Sequence, residues 1–402
     1  MILFQNHWRV KDAAPYDGIP QNNNLHFKIN RNRGRKNMTK KTLTALLALL
    51  AVLMFSGCAQ NQTDPATEPP TTAATEAPTE MPTQPPAEPP AEAPTEPPAT
   101  NPLTGEVVSA DLDTRIFCST INNVKPALPH RGLSDADIYF EMFVNDYCTR
   151  GLALFADIES VKEIGSVRSL RYNFTDIAKG YDAIIAHAGG SKEVMADEKK
   201  SKVDNLDANT MGSGFHRDSA RYHSGYAWEH TLFAYGADLM ALAVKQGYDV
   251  TIDPDKDFGM RFIPDGTPAG GETANTVKID FILYGRSKVT NMVYNTQLGA
   301  YVYNQYNMQM KDENTGALET FENVFVLLAK TTNDSQGLHV ADMKGSGEGY
   351  YACGGRIIPI TWHRESDNDT FSFKCADGSQ LEQGVGNSYV AIAPTTSKIS
   401  WS

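Results

Sequence analysis

The chain has 402 residues and a formal net charge of −12 at pH 7. An acidic surface of this kind repels phosphate backbones and bare anionic lipid, which argues against nucleic acid as a partner. Local clusters of arginine therefore have to be judged one by one.

Residues 1–37 are polar, rich in Asn and basic side chains, and lack a helical or strand period. A signal peptide of ordinary form would begin at Met38, so 1–37 read as an upstream extension that is not native to the mature protein. Lys40 and Lys41 form a charged start, and Thr42–Phe55 supply 14 residues without charge. That run is too short to span a bilayer comfortably and suits the apolar region of a signal peptide. It closes on Phe55-Ser56-Gly57-Cys58, which resembles a bacterial lipobox, so 38–58 read as a lipoprotein signal peptide with Cys58 acylated. The expected location is the extracytoplasmic face of the cell membrane, with the membrane as a partner through that anchor. Loss of residues 1–57, which hold nine Lys/Arg and two Asp/Glu, takes the chain to −19. Residues 59–101 are almost entirely Pro, Thr, Glu and Ala and hold 12 of the 22 prolines. With no apolar stripe to bury, this linker is expected to stay disordered and extended. At ~3.1 Å per residue it reaches up to about 130 Å.

From Asn101 onward the pattern is that of a folded protein. Thr114–Ile121, Ile138–Val144 and Leu152–Ile158 read as strands from their β-branched and aromatic content. Ser169–Lys179 reads as a helix with Gly180 beyond its end, Asp182–His187 as a strand, and Lys192–Lys200 as a polar helix. Glu229–Gln246 reads as one long helix closed by Gly247. Alternation of this kind predicts a mixed α/β domain over 102–265. The Gly/Pro-rich run Pro264–Gly271 is read as the boundary. Beyond it, alternating segments separated by Asn/Asp/Gly/Ser clusters predict a mainly antiparallel β domain over 270–402, giving an α+β chain. Its strands are Thr276–Tyr284, Lys288–Tyr294, Ala300–Tyr306, Glu322–Leu328, Gly349–Cys353, Arg356–His363, Thr370–Lys374 and Ser388–Ala393.

With Cys58 assigned to lipid, Cys118, Cys148, Cys353 and Cys375 remain. Turn signals place Cys353 and Cys375 on the outer strands of a three-strand meander. Outer strands lie about 10 Å apart, too far for a disulfide. Cys118 and Cys148 can pair only if their strands are neighbours, and four thiols are the default.

Chemistry concentrates between Ile164 and Ser191. Arg168 and Arg171 are expected at the start of the helix over 169–179, where the free N–H groups already favour anions. Two guanidiniums there need an offsetting charge. Either carboxylates such as Asp137, Glu141 or Asp157 supply it, or a phosphate- or carboxylate-bearing ligand does. His187-Ala188-Gly189-Gly190-Ser191 follows a strand, where ligands bind in α/β sheets and paired glycines let amides approach an anion. Ser191 is either a nucleophile served by His187 or the N-cap of the next helix. A second polar group comprises His216, Arg217, Asp218, Arg221, His223 and His230, with Tyr222, Tyr226 and Trp228 supplying aromatic surface. The histidines recur every seven residues, but Gly225 interrupts a shared helical face and no metal-ligand spacing is present. No metal and no cofactor is expected.

These segments together resemble the YerB-like bacterial lipoproteins, whose N- and C-terminal domains have no assigned function. The resemblance runs over about 101–394. It rests on Asn101-Pro102-Leu103-Thr104-Gly105, Ile121-Asn122-Asn123, Leu133-Ser134-Asp135-Ala136-Asp137-Ile138-Tyr139 and Thr149-Arg150. Ile164 through Arg171, His187–Ser191, Arg217-Asp218, His230-Thr231-Leu232 and Gly345-Ser346-Gly347 complete it. It implies a lipid-anchored envelope protein of two domains and supplies no reaction. Arg168, Arg171, His187, Gly189, Gly190, Ser191, Arg217, Asp218 and His230 are the candidate ligand-binding residues. One reading is a binding protein for an anionic or glycan wall component or an envelope protein. The other is an envelope enzyme acting on a phosphate-bearing or glycan substrate, by loose analogy with the LytR-CpsA-Psr phosphotransferases.

Overall fold

The segments expected as strands in the first half build one side of one large sheet. In the computed structural model the described residues are 98–402, apart from 110, 111, 146 and 147. The upstream extension, the signal segment with Cys58, and the linker up to 97 lie outside them. The strands of the first half are β1 (Phe117–Asn122), β2 (Ile138–Asn145), β3 (Cys148–Phe155), β4 (Ile164–Gly165), β5 (Ile184–His187), β6 (Asn205–Asp207), β7 (Phe215–Arg217) and β8 (Leu232–Ala234). The helices are α1 (Tyr172–Gly180), α2 (Lys192–Ser201), α3 (Ala208–Met211), α4 (Ser219–His223) and α5 (Gly236–Gln246).

The sheet has eleven strands, and β2, β3, β1, β5 and β6 make up one side of it. β3 runs antiparallel to both β2 and β1, whereas β1 and β5 are parallel, with Phe117 opposite Ile184. The other side comes from the second half. Ser388–Pro394 lies parallel to β2 with Ala391 opposite Glu141, and Asn323–Ala329, Gly345–Cys353 and Arg356–Arg364 continue outward. Thr276–Leu283, Arg286–Asn295, Ala300–Gln305 and Lys398–Trp401 form an antiparallel second sheet. The chain is thus α+β, with a mixed first half and a β-rich second half.

Strand alternation sorts β2 into two cores. Phe140 and Met142 face α1 and α2, beside Phe174, Ile177 and Val194. Tyr139 and Phe143 face the second sheet, beside Phe281, Tyr301 and Tyr303. Between those two aromatics, on the same face, sits Glu141 with no exposed surface. Its carboxylate accepts from Lys288 Nζ, Asn123 Nδ2 (2.9 Å), Tyr303 OH (3.0 Å) and Tyr389 OH (2.7 Å), with Thr149 and Thr290 hydroxyls completing the shell. Burial alone would raise its pKa, but the Lys288 charge and these donors hold it below the usual carboxylate range. Glu141 and Lys288 therefore tie β2 to the second sheet.

One long element differs from expectation. Glu229–Gln246 is not a single helix: Trp228–His230 is a 3-10 turn, Leu232–Ala234 is β8, and only Gly236–Gln246 is helical. β8 pairs with both β4 and β7, so Leu232 and Phe233 are buried as strand residues before the helix can begin. The thiols follow the sequence argument. Cys353 and Cys375 flank Arg356–Arg364 on opposite sides, and all four described cysteines are free. β1 and β3 are neighbours, yet Cys118 lies opposite Leu154 while Cys148 begins β3 at its far end.

Candidate anion-binding site

The carboxyl ends of the parallel strands β1 and β5, together with the start of β3, frame one corner of the sheet. In open α/β sheets such strand ends are where ligands bind. Beyond the last residues of the β1–β5 pairing, the 166–170 segment takes over: Asn122 N–H donates to Ser166 O (2.9 Å) and Arg168 N–H to Thr120 O (3.3 Å). On its other side Ala188 N–H donates to Arg168 O (2.9 Å) and Leu170 N–H to Gly189 O (2.8 Å). Residues 168–170 are therefore extended, not helical. α1 starts at Tyr172 with Arg171 as its N-cap, and no acidic residue lies in its first turn.

This corner gathers three guanidiniums. Arg150, on β3, is only 5% exposed and donates from Nη1 to Ser169 O (2.8 Å). Arg171 donates to Leu170 O (2.7 Å), and its longer 3.4 Å contact reaches the same Ser169 carbonyl. Arg168 donates to Glu229 O (3.1 Å). The Nε groups of Arg168 and Arg171 are buried without a hydrogen-bond partner. Among the described residues none of the three forms an ion pair with a carboxylate. The expected internal partners are otherwise engaged: Asp137 holds Asn101 and the Ala156 amide, Asp157 the Ser160 amide, and Glu141 faces Lys288. The ion-pair reading of Arg168 and Arg171 is thereby corrected.

Other arginines show what pairing looks like in this chain. Arg115 binds Asp182 and Asp204, Arg131 binds Glu163, Asp218 and Glu313, and Arg221 binds Glu313. In the corner, burial lowers the pKa of Arg150 well below its ordinary value, and repulsion from Arg171 and Arg168 lowers it further. Arg168 and Arg171 are lowered chiefly by burial, with Glu229 and Asp334 as weaker opposing charges. Cys148 shares this field. Burial raises its thiol pKa, and Arg150, Arg171, Arg168 and Lys288 pull the other way. A buried cation without a counter-charge costs several kcal/mol, roughly, in a protein interior. An anion accepting from these guanidiniums would remove that cost.

The remaining sequence candidates divide. Arg217 lies on the same side: burial, and after it repulsion from Arg168, lowers its pKa, and it donates to Trp228 O (2.6 Å) and stacks 4.5 Å above the Trp228 ring. His230 is buried beside Arg168 and accepts from Asn122 Nδ2 at Nδ1 (2.9 Å). Burial, with Arg168 and Arg221 acting against Glu229, pushes its pKa down. Asp218 instead caps α4 through the Arg221 amide and pairs with Arg131. His187 is fully buried, with Nδ1 against Gly189 O and Nε2 against Asn205 Oδ1. The Gly189 amide donates to Asp207 Oδ1 (2.7 Å), so it is already satisfied inside the protein. Gly190 is exposed at the turn. Ser191 is the N-cap of α2, accepting from the Val194 amide, which is its helix-start reading and not the nucleophile one. His216, His223 and His230 do not converge: His216 meets Glu163 and Tyr235, and His223 the Ser219 carbonyl.

Arg150 was missed as a site residue. Its only sequence signal is the Thr149-Arg150 motif, because a strand pattern does not say that its first arginine will meet a segment 18 residues later.

Two family models match this chain. The N-terminal domain of the protein of unknown function DUF3048 matches residues 103–249, and its C-terminal domain matches residues 277–390. The chain carries both and belongs to this family, as the resemblance to the YerB-like proteins implied. It is 27% identical over 283 residues to a Bacillus subtilis (strain 168) protein named "Putative lipoprotein YerB", covering 68% of this chain and 80% of that one. The crystal structure of YerB protein from Bacillus subtilis has the same fold, with a TM-score of 0.66 at 23% identity over 75% of this chain and 99% of that chain.

Proposed function

We propose that this is a lipid-anchored envelope lipoprotein whose first half binds an anionic group at Arg150, Arg168 and Arg171. The observation that carries the binding reading is one buried and two half-buried guanidiniums, the latter with buried Nε groups, none ion-paired with a carboxylate among the described residues. Phosphate and carboxylate are the groups whose paired oxygens match guanidinium donors. Titration calorimetry with inorganic phosphate tests the site. The wild-type chain is expected to bind, and Arg168→Ala and Arg171→Ala each to weaken binding at least about tenfold, one charge-assisted contact being worth roughly 1.5–3 kcal/mol. Wild-type protein that takes up neither phosphate nor a carboxylate such as citrate would refute it.

The anchor rests on Phe55-Ser56-Gly57-Cys58 and on the lipoprotein name of the Bacillus relative. Among the described residues no helix is long and apolar enough to cross a membrane. Cys58→Ala is expected to release the protein into the medium or to stall its processing. A processed variant still found in the membrane fraction would show that attachment does not run through Cys58.

A further inference from the structure

The turn that borders the arginine corner also presents an aromatic face to solvent. Trp228 and Glu229 belong to the 3-10 turn Trp228–His230, and their carbonyls accept from Arg217 and Arg168 respectively. The indole of Trp228 is 56% exposed, and Tyr222, 48% exposed, meets it edge-on at 5.5 Å. Arg217 covers one side of that indole at 4.5 Å, and consecutive residues are only ~3.8 Å apart along the chain. The exposed Trp228, with Tyr222 edge-on to it, therefore belongs to the same turn whose next carbonyl accepts from Arg168, with Arg217 stacked on its indole.

Resting on the anion-binding reading above, we infer that the ligand is a glycosyl phosphate, with its phosphate among Arg150, Arg168 and Arg171 and its sugar ring on Trp228. The two parts of the site ask for two kinds of chemistry. The guanidiniums ask for an oxyanion. The indole asks for a flat, largely apolar face, which the C–H side of a sugar ring provides, while Tyr and Trp keep polar edges for its hydroxyls. Glu229, exposed in the same turn, and Arg217, stacked on the indole, supply one acceptor and one donor that can bond ring hydroxyls. Glu229 would also repel a second phosphate near it. A neutral ring carrying a single phosphate satisfies all of these constraints together.

The test compares four probes on the full chain by calorimetry: inorganic phosphate, glycerol 1-phosphate, N-acetylglucosamine 1-phosphate and AMP. The sugar phosphate is expected to bind about tenfold more tightly than glycerol 1-phosphate. Trp228→Ala should bring that ratio close to one while leaving inorganic phosphate unaffected. The substitution removes an exposed ring, and an unchanged unfolding midpoint will verify that the fold is intact. Equal binding of the two organic phosphates, abolished by Arg168→Ala, would overturn the sugar subsite and leave the anion site standing. A ratio that survives Trp228→Ala would place the sugar elsewhere, and tighter binding of AMP would replace the sugar by a base. Absence of binding by all four would remove both the subsite and the anion reading.

Discussion

Glu141→Gln is expected to remove about 3–5 kcal/mol of folding stability, the usual cost of stripping one partner from a buried ion pair. That is a large part of the roughly 5–15 kcal/mol that a domain has to lose. The size follows from the setting: Glu141 has no exposed surface and Lys288 is 5% exposed, so neither charge can turn to water. Glutamine has nearly the same shape and keeps one acceptor oxygen for the tyrosine and threonine hydroxyls. It leaves Lys288 without a counter-charge and puts an amide N–H₂ against groups that also donate. Lys288→Met removes the cation and leaves a buried carboxylate that still accepts from Asn123, Thr149, Thr290, Tyr303 and Tyr389. The pair Glu141→Gln with Lys288→Met should lose less than the two single losses added, by roughly 0.5–3 kcal/mol, as coupled neighbours do. Urea unfolding of the four proteins measures this. A Glu141→Gln variant within about 1 kcal/mol of wild type would mean that the pair is not held as the structure shows.

The same pair explains what the sequence could and could not say about organisation. Ile138–Val144 is legible as a strand because Tyr139, Phe140, Met142 and Phe143 give it apolar residues on both faces. Glu141 inside that run breaks the local rule, since an acid at a core position is costly without partners. Those partners, Lys288, Thr290, Tyr303 and Tyr389, lie well over a hundred residues later, and no local pattern connects them to it. The parallel pairing of β2 with Ser388–Pro394 is hidden for the same reason. The segments matched as N- and C-terminal domains thus share one sheet, and each would expose a sheet edge without the other.

At the site, composition located the arginines but propensity misplaced them. Ser169 and Leu170 are compatible with a helix, yet hydrogen bonds to Ala188 and Gly189 keep the segment extended and delay α1 until Tyr172. Leu232 and Phe233 likewise fit a helical stripe, but two strand partners, β4 and β7, outweigh it. In both places a tertiary backbone pairing decides, and that pairing is what sets Arg168 beside Arg171 and Trp228 beside Arg217. Arg150 reaches this corner because it lies opposite Asn122 at the end of β1, a register that no local pattern in its own strand specifies.

Arg150→Met is expected to move stability and binding in opposite directions. In buffer free of oxyanions the variant should be more stable than wild type by about 1–2 kcal/mol, because it removes a buried charge that two neighbouring guanidiniums repel. Methionine retains much of the stem packing, and the Ser169 carbonyl that Arg150 leaves still has the Arg171 Nη1 contact at 3.4 Å. Affinity for inorganic phosphate should fall at least about tenfold, one charge-assisted contact being worth roughly 1.5–3 kcal/mol. A ligand that binds only the folded state adds about 2.7 kcal/mol at a hundred times its dissociation constant. A variant that binds tenfold more weakly gains only about 1.4 kcal/mol there, so phosphate should favour the wild type by about 1.3 kcal/mol and close or reverse the gap in thermal unfolding. The shift toward the wild type is the diagnostic result, since a structural arginine would lower stability when removed by the same amount under both conditions. If Arg150→Met is the less stable protein with and without phosphate, the charge of Arg150 is already balanced inside the fold and the corner is not built to receive an anion.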